Sequence, residues 1–139
     1  MGCGLREARG PHEQVTERFE HGQLPGSLEL AFIGDSLYDL HVRRALVLKG
    51  GKVRDLHRAA VGHVCAHAQS EAFGRVEPLL TEEELAVARR ARNAHQNPPH
   101  NADRAEYHRA TALEALIGYL SLTDQKARME EILVAAVEI

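Results

Sequence analysis

The chain of 139 residues has room for one domain with a substantial core, and not for two. Hydrophobic residues at 44% and charged residues at 27% exclude a disordered or fibrous chain, while 4% aromatics and no Trp leave Leu, Ile, Val and Ala to build the core, which predicts an all-α fold. Two cysteines, Cys3 and Cys65, exclude a disulfide framework and fit a cytoplasmic setting, and no apolar run approaches the ~20 residues that cross a bilayer.

The net charge of −3 is unevenly spread. Acids prevail in the first thirty residues, whereas Arg43, Arg44, Lys49, Lys52, Arg54 and Arg58 face only Asp55 between His41 and Arg58. Arg89, Arg90 and Arg92 form a second basic group. Because screening limits each charge to roughly 8–10 Å, an acidic protein can still offer a basic face to a polyanion; a solvated helix face is the plainer alternative.

Residues 1–26 are polar and interrupted by Gly10-Pro11, Gly22 and Pro25-Gly26, which predicts a weakly structured N-terminal segment ahead of a domain over 27–139. From Leu28 apolar residues recur at helical spacing through Leu30, Ile33, Leu37, Leu40 and Leu48, until Gly50-Gly51 stops the helix. A second helix is expected to start near Val53 or Asp55 and to run, with Leu56, Ala60, Val64 and Ala68 on one stripe, to Gly74 or Pro78. Thr81-Glu82-Glu83-Glu84 reads as a capping box opening a helix whose last turn carries the three arginines. Asn97-Pro98-Pro99-His100-Asn101 is a loop, a long helix follows from about Asp103 to Leu122, and Asp124 is expected to cap a final helix through Val137.

Two carboxylates stand out. Asp35 and Glu114 lie 79 positions apart, each inside an apolar helical run that reads as core-facing, where a charge needs a partner. A divalent cation shared between two helices is one partner; an ion pair with Arg43 or Arg109 is the other. Asp39, one turn beyond Asp35, reads either as an acid that binds an outer-shell water or as an ordinary exposed helix acid.

The run Ala31-Phe32-Ile33-Gly34-Asp35-Ser36-Leu37-Tyr38-Asp39 resembles the central signature of ribonuclease III catalytic domains, and Thr111 to Leu120 resembles that family's second acidic motif. Between them Asp55-Leu56-His57, Ala66-His67-Ala68-Gln69-Ser70, Thr81 to Glu84 and Arg89 to Ala94 follow the order and spacing of the compact Mini-ribonuclease III subgroup. Ala31 and Thr111 stand where the longer enzymes carry two further acids, a departure that the subgroup shares, and Ala91 stands where Gly is expected in the arginine motif. The resemblance implies a homodimeric, Mg²⁺-dependent endoribonuclease acting on double-stranded RNA, in ribosomal RNA precursor maturation. In that reading Asp35 and Glu114 are catalytic metal ligands, Arg89, Arg90, Arg92 and Asn93 contact RNA, and Asp39 and Thr111 are outer-shell candidates. Ending at Ile139, the chain is expected to grip RNA without the double-stranded-RNA-binding domain of longer relatives. A non-catalytic RNA-binding or ribosome-associated module that kept the fold is the rival reading.

Overall fold

A computed structural model of the chain describes residues 23–94 and 96–139. Among them the secondary structure is entirely helical: α1 (Ser27–Lys49), α2 (Val53–Val64), α3 (Ala66–Val76), a 3-10 turn (Glu77–Leu79), α4 (Glu82–Arg92), α5 (Arg104–Leu122) and α6 (Lys126–Ala136). The all-α expectation holds. The weakly structured segment predicted for 1–26 falls, up to residue 22, outside the described residues.

Helix α5 is the axis of the domain, with α1, α3, α4 and α6 packed around it. Ala110, Ala112, Leu113, Ala115, Leu116, Ile117, Gly118, Tyr119 and Leu120 are all buried, so this helix is apolar nearly all round, as a central core helix must be. Its start is fixed by Asp103, whose side chain accepts from the Glu106 amide at 3.0 Å. The capping box of α4 is present as predicted: Thr81 Oγ1 accepts from the Glu84 amide at 3.2 Å and Glu84 Oε1 from the Thr81 amide at 2.9 Å. The same Glu84 carboxylate takes Arg128 of α6 through two bonds of 2.9 Å, which hold its pKa below the usual carboxylate value.

Helix α1 buries Leu30, Gly34, Tyr38, Val42 and Leu46, a stripe at a spacing of four, with Ala31 beside it. The expected stripe differs: Ile33 and Leu37 are only half-buried, and Leu40 and Leu48 are exposed. The contact with α5 is made by the smallest residues. A Cβ added at Gly34 would overlap the Glu114 carbonyl oxygen, and one added at Gly118 would overlap the Leu30 carbonyl oxygen, so the helices run antiparallel and touch backbone to backbone at these two points. Gly50 closes α1 at φ 97°, in the left-handed region that favours glycine.

Three other expectations change. The single helix predicted after Gly50-Gly51 is two, broken at Cys65, whose extended ψ of 159° ends α2 and starts α3. No Gly or Pro stands at Val64-Cys65-Ala66 to signal it; the break lets α3 re-aim so that Gln69, Ser70, Phe73 and Val76 are buried, while α2 buries only Ala60. Asp124 is not the cap of α6, which starts after Gln125; it adopts φ 57°, where a short polar side chain is tolerated. Ala91, which in place of the expected Gly would be read as altering the shape of a loop, instead lies inside α4 and is fully buried, so its methyl group fills core space.

At the exposed end of the α3–α5 contact, His67 stands between two acids, Nε2 at 2.9 Å from Glu71 and Nδ1 at 3.0 Å from Glu106. The hydrogen bond to Glu106, that acid's charge and then the charge of Glu71 raise its pKa above 6.5. A raised imidazole stabilises the fold fully below its unfolded value and loses that contribution as pH climbs through its folded value. In urea melts, His67→Ala is therefore expected to destabilise the protein at pH 6 and to be close to neutral at pH 8.5; equal effects at both pH values would remove the ionic role.

Candidate active site

The antiparallel contact of α1 with α5 sets the site. Gly34 rests on the backbone of Glu114, so the next residue, Asp35, brings its side chain beside the Glu114 carboxyl. Together with Leu28, Ala31, Phe32, Gln96, Tyr107 and Thr111 they line an open cleft of about 300 Å³. Both acids identified from the sequence thus meet, although one premise needs correcting: Asp35 is exposed, and only Glu114 is partly buried. Apolar neighbours suggested otherwise because some of them are themselves on the surface, above all Phe32 at 83% exposure.

The electrostatics of the pair are strained. Burial, then a hydrogen bond with Asp35 and the charge of Asp35, push Glu114 up to about 8, while the side-chain amide of Gln69 acts in the opposite sense. Neither arginine proposed as an ion-pair partner fills that place. Arg43 bonds Asp39 at 3.0 Å, and Arg109 donates to Ser70 Oγ at 3.0 Å and lies 5.5 Å over the Phe73 ring. Among the described residues no Lys, Arg or His forms an ion pair with Asp35 or Glu114. Two carboxyls side by side in one cleft, one of them held largely protonated at neutral pH by burial and by its acidic neighbour, are suited to a hard divalent cation. Among the described residues no group of three or more His, Cys, Asp or Glu is arranged to hold a metal ion by itself.

The remaining predicted residues divide. Thr111 is buried at the cleft wall, donating to the Tyr107 carbonyl at 3.0 Å and accepting from Gln96 Nε2 at 3.2 Å; like Ala31, it lines the cleft at a position where an acid was the alternative. Asp39 is tied to Arg43 and does not line the cleft. Arg89, Arg90, Arg92 and Asn93 are exposed on and just beyond the last turn of α4, with no ion pair among the described residues. The chain leaving that turn enters the cleft at Gln96, so its hydrogen bond to Thr111 ties the arginine-bearing end of α4 to the carboxylate site. Sequence reasoning missed Gln96, Tyr107 and Leu28. Gln69 and His57 could be read from sequence as touching RNA or, more simply, as packing residues; Gln69 is buried, and His57 is exposed.

The chain also matches known proteins. Residues 28–125 match the Ribonuclease III domain. The chain belongs to the ribonuclease III family. It is 46% identical over 113 residues to a Mini-ribonuclease 3 of Symbiobacterium thermophilum, covering 80% of this chain and 87% of that one, and 45% identical over 128 residues to a Mini-ribonuclease 3 of Brevibacillus brevis, covering 91% and 96%. A crystal structure of a Fusobacterium nucleatum protein superposes with a TM-score of 0.73 at 31% identity, over 78% of this chain and 88% of that chain. This ribonuclease III domain is therefore an endoribonuclease of the Mini-ribonuclease 3 kind, and the matched residues include the whole of α1 from Leu28, α5 and the cleft between them. No helix of the described residues is long and apolar enough to cross a membrane.

Proposed function

We propose that this ribonuclease III enzyme hydrolyses phosphodiester bonds of double-stranded RNA with Mg²⁺ held between Asp35 and Glu114. The supporting observation is the unneutralised carboxyl pair lining an open cleft, with Glu114 pushed up to about 8 by burial and by Asp35 beside it. When bound there, Mg²⁺ supplies Lewis-acid stabilisation of the phosphate oxygens and lowers the pKa of a coordinated water. The protein's part is to hold that charge rigidly: both ligands stand on helices locked backbone to backbone. In the net reaction water adds to phosphorus as one P–O ester bond breaks, and the departing oxygen leaves as an alcohol. The Thr111 hydroxyl, already engaged with Gln96, is placed to order a water of the outer shell, whereas Asp39 is occupied by Arg43.

Arg89, Arg90, Arg92 and Asn93 are proposed to hold the RNA backbone. Duplex RNA offers phosphates and 2′-hydroxyls across a shallow minor groove and little readable sequence, so an exposed cluster of unpaired guanidiniums suits it. Replacing all three arginines with Ala should weaken RNA binding and lower the slope of log K against log salt by about two to three. An unchanged slope in filter-binding titrations would return them to a solvated face.

A homodimer is proposed as the working form. Phe32 and Leu28 leave apolar surface at the cleft rim, 83% and 42% exposed, and a second copy of the domain would cover it beside the site. A role in ribosomal RNA precursor maturation, in the cytoplasm, is carried by the resemblance to the Mini-ribonuclease III subgroup. The test is direct: end-labelled duplex and single-stranded RNA incubated with the purified protein, with Mg²⁺ or with chelator. Cleavage of the duplex alone, and only with Mg²⁺, is expected; chelator-resistant cleavage or preference for the single strand would overturn the reading.

A further inference from the structure

Gln69 is the most anomalous polar residue of the domain. It sits on α3, 3% exposed, surrounded by the apolar contacts that join α3 to α5, and its side-chain Nε2 is buried without a hydrogen-bond partner. An orphaned amide donor costs about 1–3 kcal/mol, so helix-on-helix packing alone would be better served by Leu or Met at this position. The amide nonetheless lies close enough to the Glu114 carboxyl to favour its charged form, without meeting it in a well-formed hydrogen bond. Arg109 fixes the strip of α3 on which Gln69 stands, bonding both the side chain and the carbonyl of Ser70, at 3.0 and 3.3 Å, and covering Phe73.

We propose that Gln69 is a positioning residue: its Nε2 donates to one oxygen of Glu114 once that carboxylate turns toward a cation shared with Asp35, leaving the second oxygen to face the cleft. The inference rests on the reading of Asp35 and Glu114 as the ligand pair. An ionised carboxylate has about four acceptor sites, and a cation takes only one or two of them. A buried donor behind the carboxylate satisfies part of the remainder and fixes the rotamer. Such outer partners typically carry 10–100-fold in metal affinity.

The test measures Mn²⁺ binding by electron paramagnetic resonance, without RNA and independently of turnover, in wild type, Glu114→Gln, Gln69→Met and Gln69→Leu. Wild type should show a saturable site that Glu114→Gln loses. Gln69→Met and Gln69→Leu, which remove the donor and keep the volume, should bind Mn²⁺ at least tenfold more weakly. Their melting temperature in metal-free buffer should be unchanged or raised, because a buried unsatisfied group has gone. Full Mn²⁺ affinity in either Gln69 variant would overturn the proposal while leaving the ligand pair standing. A wild type without a saturable site, or a Glu114→Gln variant that binds like wild type, would overturn the ligand pair itself. If both Gln69 variants lost affinity only in proportion to a lower melting temperature, Gln69 would be a packing residue and the proposal would fail.

Discussion

Replacing Glu114 with Gln is expected to abolish cleavage of duplex RNA, by roughly three orders of magnitude or more, while the protein stays folded and still binds RNA. A metal-held charge stabilises the transition state by several kcal/mol, and each 1.36 kcal/mol is tenfold in rate. Asp35→Asn should behave alike, and the two losses should not add, since either removes the shared cation. The same substitution should act on stability with the opposite sign. The raised pKa of Glu114, about 8 against 4.5 ordinarily, means that the folded metal-free protein holds a proton which the unfolded chain releases earlier. Metal-free wild type should thus lose stability as pH rises from about 4.5 to 8, and Glu114→Gln should not. Denaturant midpoints across that range, with and without Mg²⁺, check both signs. Retained cleavage by Glu114→Gln and Asp35→Asn, or parallel pH profiles of stability, would take the pair out of the chemistry.

The second large effect concerns the glycines beneath the site. Gly34→Ala places a methyl group on the Glu114 carbonyl oxygen, and Gly118→Ala places one on the Leu30 carbonyl oxygen. A clash with backbone cannot be relieved by a rotamer change, so the helices must separate. Each substitution is expected to cost about 3 kcal/mol, the upper end for overpacking, or roughly 10–20 °C in melting temperature for a domain of this size. Gly62, with nothing near its missing Cβ, is the control: Gly62→Ala on α2 should leave stability unchanged or raise it, because alanine suits a helix interior better. Equal melting temperatures for Gly34→Ala and Gly62→Ala would show that the helices are not in backbone contact.

Much of the fold could be read from local chemistry. The capping box at Thr81, the Asp103 cap, the stop at Gly50 and the Pro98-Pro99 loop all leave marks in sequence, and the helices they bound were found. The break at Cys65 left none, since the re-aiming of α3 follows from what it packs against and not from Val64, Cys65 or Ala66. The buried stripe of α1 was misassigned because apolar character was taken as inwardness. Gly34 and Tyr38 face in because the close approach of α5 requires a missing side chain at one and leaves space for a ring at the other, while Leu40 and Leu48 remain outside.

The site was half legible. Asp35 and Glu114 were recognised as a pair because charges interrupt apolar runs, yet the reason for their meeting, the contact of Gly34 with the Glu114 backbone, is a property of two helices together. Gln96 carries no pattern at all and reaches the cleft because the segment after α4 is pinned to Thr111, whereas Tyr107 shares a face of α5 with Thr111 and Glu114 at helical spacing. Gln69 stands among His67, Ser70 and Glu71 and left no signal in the sequence; only burial without a partner distinguishes it from an ordinary polar surface residue.

Helix α5 is sheathed through its middle and C-terminal part, and Glu114 is the single gap in a run of enclosed residues from Ala110 to Leu120. Amides in such a segment exchange with solvent deuterium only when the entire domain opens. The carboxylate at the reaction centre therefore rides on the slowest-exchanging part of the molecule. No partial melting of a terminus or outer helix can loosen it, and nuclease activity should persist up to the global transition and vanish with it.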